Sequence, residues 1–537
     1  MDLISFLSTI HHTHTDTHTL IPNTQKHTGQ MTDASMLAFI LRRLRQSIVF
    51  FTPYSKLQRR LLKAALTLFG TCPDHPPRIQ AILLVRAMAL KLPPPSLDSC
   101  LKSVYRAFSA NAKFVNAASV PHINFMASCV VEMYGLDLTA SYQHAFGFIR
   151  QLALLVRQAL TSKSKESYRE VYCWQTINCL EVWAKVLSAH ADSDELRPLV
   201  YPVVQLLLGT ARLVPTPSYF PLRLRCARAL NRLAECTGVF VPVAPVLLEV
   251  LQWGDLAKRP KPAPGDKPVE VLLQLRAAKS VARSAQYQEE IVEQALELLA
   301  DHLSQWACHV SFPELSHLSL LQLKAFAKTT GVEKFRRSAR QLAEAIERNI
   351  AFVGRARDQV EFSPKDFGQI NGFLAKEAAA KAAPVMLHAA TLRERAKQRM
   401  LARSTRDVAV GRGKQQRPRG GGGGGEEDNE LDLPRPGSGS GAGDVSSDED
   451  EDTEKEIDVL KALTKKKKMS DGGGKDEETR GAKKDKTEIG GDQVVAYDLS
   501  SDEDDLDDEG DDERGRVPKR KSFDRQGGNK KQKKKSA

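Results

Sequence analysis

The sequence predicts an all-α chain, an irregular α-solenoid of the HEAT or armadillo kind followed by a disordered charged tail. Three observations carry this. Apolar residues recur at three- and four-residue steps through much of the first 400 positions. Prolines and a glycine fall where helices should start and stop. Composition changes near residue 400, beyond which the chain is glycine-rich and blocked by charge. Alternating runs of the β type are scarce before that point. An aromatic content of 6%, with four Trp, suits Leu- and Ala-rich helix stacks better than a sandwich.

Taken in order, residues 1–34 form a His/Thr-rich leader, residues 35–400 the helical body and residues 401–537 the tail. The leader contains His11, His12, His14 and His18 among threonines. Nothing in that run supplies a second shell to orient imidazoles on a metal, so it reads as unstructured. In the body, Phe146, Ile149, Ala153, Val156 and Leu160 form one apolar stripe. Cys173, Ile177, Leu180, Ala184 and Leu187 form another, and Leu315, Leu318, Leu321 and Phe326 a looser third. From Pro221, Leu222, Cys226, Ala229, Leu230 and Leu233 share a face. Arg225, Arg228 and Arg232 lie on a separate one, within roughly 60° of each other. Pro198, Pro221, Pro242 and Pro313 sit at expected helix starts, where a missing N–H costs nothing. Gly238 follows the last periodic residue of the Pro221 helix, as a stop should. Successive units do not align at a fixed period, so irregular helical pairs are expected over a consensus array.

Charge divides along the same line. The 537 residues carry 78 Lys+Arg and 66 Asp+Glu, a net of +12. Residues 1–400 hold 49 basic and 32 acidic side chains, whereas residues 401–537 hold 29 and 34. A basic folded body is the electrostatic footprint of something that meets nucleic-acid phosphates. Without an RNA-recognition, KH or zinc-finger signature, contact should go to phosphate and shape more than to bases. Solvated helix faces are the plainer alternative.

Chemistry is not evident. The chain has no Walker-type loop, no G-x-S-x-G elbow and no H-E-x-x-H. The run from Gly420 to Gly425 follows no strand and opens no helix, which makes it a linker. Eight cysteines are scattered without a CxxC pair and read as small buried hydrophobes. No apolar run is long enough to span a bilayer, and the first residues lack the form of a signal peptide. The sequence therefore predicts a non-enzyme without cofactor, metal or membrane partner.

The tail carries two kinds of signal. Ser446-Ser447 and Ser500-Ser501 are each followed by Asp-Glu-Asp. Acid-directed kinases favour such serines, and phosphorylation would deepen an already acidic tract. Lys519, Arg520 and Lys521, then Lys530, Lys531, Lys533, Lys534 and Lys535, have the two-cluster form of a nuclear-localisation signal that importin would read.

Long blocks of the body also resemble a known family. LRRLRQSIVFFTPYSKLQRRLLKAALTLFGT opens the likeness. FVNAASVPHINFMASCVVEMYGLD and YQHAFGFIRQLALLVRQALTSKSKESYREVYCWQ follow it. The central segment from Tyr168 to Leu251, FPELSHLSLLQLKAF, KFRRSARQLAEAIERNI and VEFSPKD complete the series. Their succession over about residues 35–400 resembles the nucleolar complex protein 2 family. That family's charged N-terminal extension is missing or replaced here by the leader, as a truncated reading of the gene would leave it.

The resemblance implies a factor for large-subunit ribosome assembly. It would sit in the nucleolus and nucleoplasm, pair with sister nucleolar complex proteins and travel with pre-60S particles. Some members of the family are also linked to histones, so a histone-binding chromatin regulator acting through the acidic tail is the alternative. A transport receptor of the karyopherin type, also a solenoid, usually has an acidic body. On this reading Trp174, Trp183, Tyr219 and Phe220 are expected to anchor a sister protein. Arg225, Arg228 and Arg232, with Lys334, Arg336 and Arg337, are expected to contact rRNA phosphates.

Overall fold

The protein is described by a computed structural model covering residues 34–260, 270–361, 363 and 365–415, excluding the side chains of residues 367 and 403–415. Among the described residues there is no strand. Helices α1 (Ala34–Gln46) and α2 (Ser55–Thr71) pack on α3 (His75–Lys91), which leads to α4 (Ser96–Asn111) and α5 (Val120–Tyr134). The 25-residue α6 (Leu138–Ser162) and the short α7 (Lys165–Val171) precede α8 (Trp174–Ala189), α9 (Val200–Leu213), α10 (Phe220–Thr237) and α11 (Ala244–Leu251). A single turn, α12 (Lys279–Ala282), opens the last group. It comprises α13 (Ala285–Gln305), α14 (Phe312–Thr329), α15 (Glu333–Arg357), the short α16 (Phe367–Gly372) and α17 (Ala375–Ala379), and α18 (Pro384–Gln415).

Helices pack on others close by in the chain. α8 touches α4, α5, α6, α9 and α10, while α13 touches α10, α11, α15 and α18. Chain-local stacking of this kind defines an α-solenoid, as the sequence predicts. Its stripes on α8 and α10 face inward. Ile177, Leu180, Ala184 and Leu187 are buried, as are Leu222, Cys226, Leu230 and Leu233. Trp183 is 0% exposed. Its ring lies 4.9, 5.1 and 6.2 Å from those of Tyr105, Tyr134 and Phe148, tying α4, α5, α6 and α8 together.

Two other stripes are rotated from their expected position. On α6, Phe146 and Leu160 are exposed, and the packed face runs through Ser141, Ala145, Phe148, Ile149, Leu152, Val156 and Ala159. On α14, Leu318 and Leu321 are exposed, whereas Ser316, Ser319, Leu320 and Leu323 face inward. Small residues let neighbouring helices approach there. An apolar count ignores the serines and centres the stripe to one side of the packed face.

The punctuation matches its chemistry. Gly238 adopts φ +65° and its N–H donates to the Ala234 carbonyl, closing α10. Pro221 and Pro313 occupy the first turns of α10 and α14, and Pro198 lies in a 3-10 turn feeding α9. Pro242 instead lies in a tight turn before α11, bridged by Val243 N donating to the Val241 carbonyl at 2.8 Å, and Pro245 takes the first-turn position. Asp137, Ser164 and Ser284 cap α6, α7 and α13 by accepting backbone N–H groups, each worth about 1 kcal/mol. Gly331 is required by close approach: a Cβ there would lie 2.8 Å from the Ala257 carbonyl oxygen.

Buried asparagines recur between helices. Asn178 Nδ2 donates to the Ala112 carbonyl, Asn231 to that of Leu298 and Asn349 to that of Ala307, at 2.9, 2.9 and 2.8 Å. Gln305 returns a bond to the Asn231 carbonyl at 2.9 Å. At the end of the array, α18 continues through residue 400 to Gln415, into the segment that composition assigns to the tail. The residues around that boundary (Arg, Lys, Gln, Met, Leu, Ala) are good helix formers, with the first glycine at Gly411.

Candidate interaction surface

α10 carries its arginines among packed neighbours, and each is answered differently. Arg223, 2% exposed, pairs with Glu249 and donates from Nε to the Ala211 carbonyl at 3.0 Å. Arg225 pairs with both carboxylate oxygens of Glu181 on α8, gives Nη1 to the Leu272 carbonyl at 3.1 Å, and lies 4.9 Å over the Trp174 ring. Arg228 reaches Gln294 Oε1 at 3.2 Å. Burial lowers its pKa, opposed chiefly by the carboxylate of Glu297. Arg232 alone of the three expected phosphate contacts on α10 is exposed, and it makes no ion pair among the described residues.

The carboxylates opposite form a ladder. Glu289, Glu293, Glu297 and Asp301 recur every four residues along α13, about 6 Å apart along its axis. Lys334 at the start of α15 pairs with Glu289, and with Glu293 at 2.7 Å. α18 closes the other side. Its Arg393 pairs with Asp301 at 2.6 Å, and its Arg399 pairs with Glu293 and stands 3.9 Å from Glu297. Burial pushes the Glu297 carboxyl up to about 7, reinforced by the charge of Asp301 and opposed by Arg228. Asp301 is raised for the same first cause, with Arg393 opposing. The ladder ties α13 to α15 and α18, while Arg228 of α10 joins the same helix through Gln294.

Several expected site residues therefore have structural work. Arg225, Arg228 and Lys334, expected at phosphates, each hold a carboxylate or amide of their own chain. Arg336 pairs with Glu333 at 2.7 Å and gives Nη2 to the Thr330 carbonyl at 2.9 Å. Arg337 is exposed with no ion pair among the described residues. Spacing on one helix cannot reveal these partners, because Glu181 lies 44 residues before Arg225 and Glu289 lies 45 before Lys334.

The expected aromatic anchors sit at different depths. Trp183 and Phe220 are buried, the latter edge-on to Trp253 at 5.7 Å, so neither is presented to a partner. Trp174 is half-buried beneath Arg225. Tyr219, half-buried, packs on Tyr172 at 4.7 Å with Arg276 at 5.9 Å from its ring. The loop before α10 is stitched on three sides. Tyr172 Oη accepts from Val214 N, Tyr287 Oη donates to the Pro217 carbonyl, and Ala277 N donates to that of Ser218.

Sequence reasoning missed a different surface. Lys56, Arg59, Arg60 and Lys63 line one exposed side of α2, and Arg42 and Arg43 are exposed on α1. None forms an ion pair among the described residues. The signal was there to read. Residues 34–73 contain no Asp or Glu, and the four α2 cations follow i, i+3, i+4, i+7 spacing opposite Leu62, Ala65, Leu66 and Phe69.

Among the described residues, no group of three or more His, Cys, Asp or Glu could hold a metal ion. No described helix is long and apolar enough to cross a membrane. All eight cysteines are free. Cys100 and Cys226 are buried, with burial pushing their thiols up to about 12, while Cys236 is exposed. The serines at 446, 447, 500 and 501 and the basic clusters at 519–521 and 530–535 lie outside the described residues.

Comparison with known proteins gives this body its relatives. Nucleolar complex-associated protein 2 of Arabidopsis thaliana is 42% identical over 383 residues, covering 71% of this chain and 50% of the relative. Nucleolar complex protein 2 of Drosophila melanogaster is 36% identical over 339 residues, covering 63% and 44%. Protein REBELOTE of Arabidopsis thaliana is 32% identical over 348 residues, covering 65% and 58%. The chain thus spans about half the length of the curated relatives it matches. Residues 95–391, from the turn before α4 into α18, match the Noc2p family across more than half of the chain. On that match, this chain belongs to the Noc2p family.

Proposed function

We propose that the chain is a non-enzymatic assembly factor for the large ribosomal subunit, acting in the nucleolus and nucleoplasm. It would bind sister nucleolar complex proteins and accompany pre-60S particles through intranuclear movement. The observation that carries this reading is the family match over residues 95–391, together with the names of relatives that place them in a nucleolar complex. A helical array supports it physically, since a solenoid offers an extended surface to several partners at once. The basic balance of residues 1–400 suits a ribonucleoprotein particle. Arg232 and Arg337 remain as phosphate contacts.

In the tail, Lys519–Lys521 and Lys530–Lys535 would engage importin. Phosphorylated Ser446, Ser447, Ser500 and Ser501 would weaken contact with rRNA by repulsion. Sedimentation of a tagged chain from a nuclear lysate tests the reading. Comigration with pre-60S particles is expected. Comigration with nucleosomes instead, or with neither, would overturn it.

A further inference from the structure

We infer that the exposed basic side of α2, with the aromatic loop leading into it, is a contact for single-stranded RNA. The inference deepens the assembly-factor reading and rests on it for the supply of RNA. Its geometry stands apart from that reading. Lys56, Arg59, Arg60 and Lys63 extend over about 10 Å of helix, the reach of two or three backbone phosphates. The loop before them exposes Phe50 at 70% and Tyr54 at 45%. Arg43 lies 5.1 Å over the ring of Phe39, itself half exposed.

Gln58 fixes this loop to the helix by donating to the carbonyls of Phe51 and Thr52 at 2.9 and 3.0 Å, so the aromatics enter α2 from a set position. Every base has a π-face, and cations beside exposed aromatics are how proteins hold a single strand without reading its sequence. A charge excess spread over the whole of residues 1–400 favours a long polyanion over a short acidic peptide. The sides of α1–α3 that pack together are already satisfied by Leu41, Ile48, Phe51, Leu62 and Phe69. The cations are therefore not needed for that packing.

The experiment uses the full chain and a fluorescent single-stranded RNA of about a dozen nucleotides, titrated across a salt series. Arg59→Gln, Arg60→Gln and Lys63→Gln together should lower the magnitude of the salt slope by about 2, at roughly 0.7 per lost phosphate. Low-salt affinity should fall tenfold or more. Phe50→Ala with Tyr54→Ala should weaken binding about fivefold or more with the slope unchanged, because stacking releases no counterions. Wild-type slope and affinity in the triple variant would overturn the inference. So would loss of binding to a peptide of residues 502–513 with RNA binding intact, which would assign the face to acidic protein. Particle sedimentation of the same variants separates the two levels. RNA loss by a chain that never meets pre-60S particles sinks the assembly reading and leaves the RNA face standing. Particle binding with unaltered RNA affinity does the reverse.

Discussion

The central helices and the first helix pair both display rows of cations, and the rows differ in everything except charge. On α10 and α15, Arg223, Arg225, Arg228 and Lys334 meet carboxylates or amides contributed by α8, α11 and α13. On α2, Lys56, Arg59, Arg60 and Lys63 face solvent in a stretch with no acidic residue. The first set is spent on holding helices together; the second is available. Charge count alone treats them alike. Where the counter-charge sits decides whether an arginine is mortar or a contact.

The sharpest break between the regions should come at the core beneath the first set. Trp183→Ala removes the ring that joins four helices and should cost about 3–5 kcal/mol, read as a lower urea midpoint at unchanged slope. Next, Arg225→Ala strands the mostly buried Glu181 carboxylate and should cost about 2 kcal/mol in the same measurement. An unchanged stability in Arg225→Ala would erase the distinction drawn above.

A smaller effect should appear with pH. Glu297 has its folded pKa raised to about 7, above the ordinary carboxylate value, so the folded state holds a proton that the unfolded chain has released. Its contribution is favourable below about 4.5 and is lost as pH rises through 7. Glu297→Gln should therefore flatten the decline in stability between pH 5 and 8, by on the order of 1 kcal/mol. A parallel shift of the whole curve would count against it. Smallest of all, Arg59→Gln with Lys63→Gln should change the unfolding free energy by less than about 0.5 kcal/mol, since neither side chain has an ion-pair partner among the described residues.

Much of the array was legible. Ile177, Leu180, Leu222 and Leu230 announce their faces because large aliphatic residues mark the packed side of α8 and α10. Gly238 announces a stop because only a left-handed residue closes that turn without strain. α6 and α14 were harder. Their inner faces use Ser141, Ala145, Ser316 and Ser319, which apolar periodicity weighs lightly or not at all, while Phe146 and Leu318 sit outside. The interaction residues were the least legible. Arg228 and Arg232 differ by one turn of the same helix, yet one is half-buried against Gln294 of α13 and the other is exposed. Only the neighbour's position separates them. The stretch 34–73 is a better guide, because neither it nor α3, the helix it packs on, contains an acidic residue.

The three buried asparagines bear on what such an array can measure. Two helices joined only by aliphatic side chains could settle one turn apart, about 5.4 Å, at little cost. Asn178, Asn231 and Asn349 remove that tolerance, because a slipped register would leave a buried side-chain amide without its carbonyl partner. Each works as a detent. With detents between α4 and α8, between α10 and α13, and from α15 to the end of α13, the spacing of outward-facing groups is set by the backbone rather than averaged over sliding states. The array is thereby graduated like a ruler, and a partner built to one interval would meet the same interval in every copy.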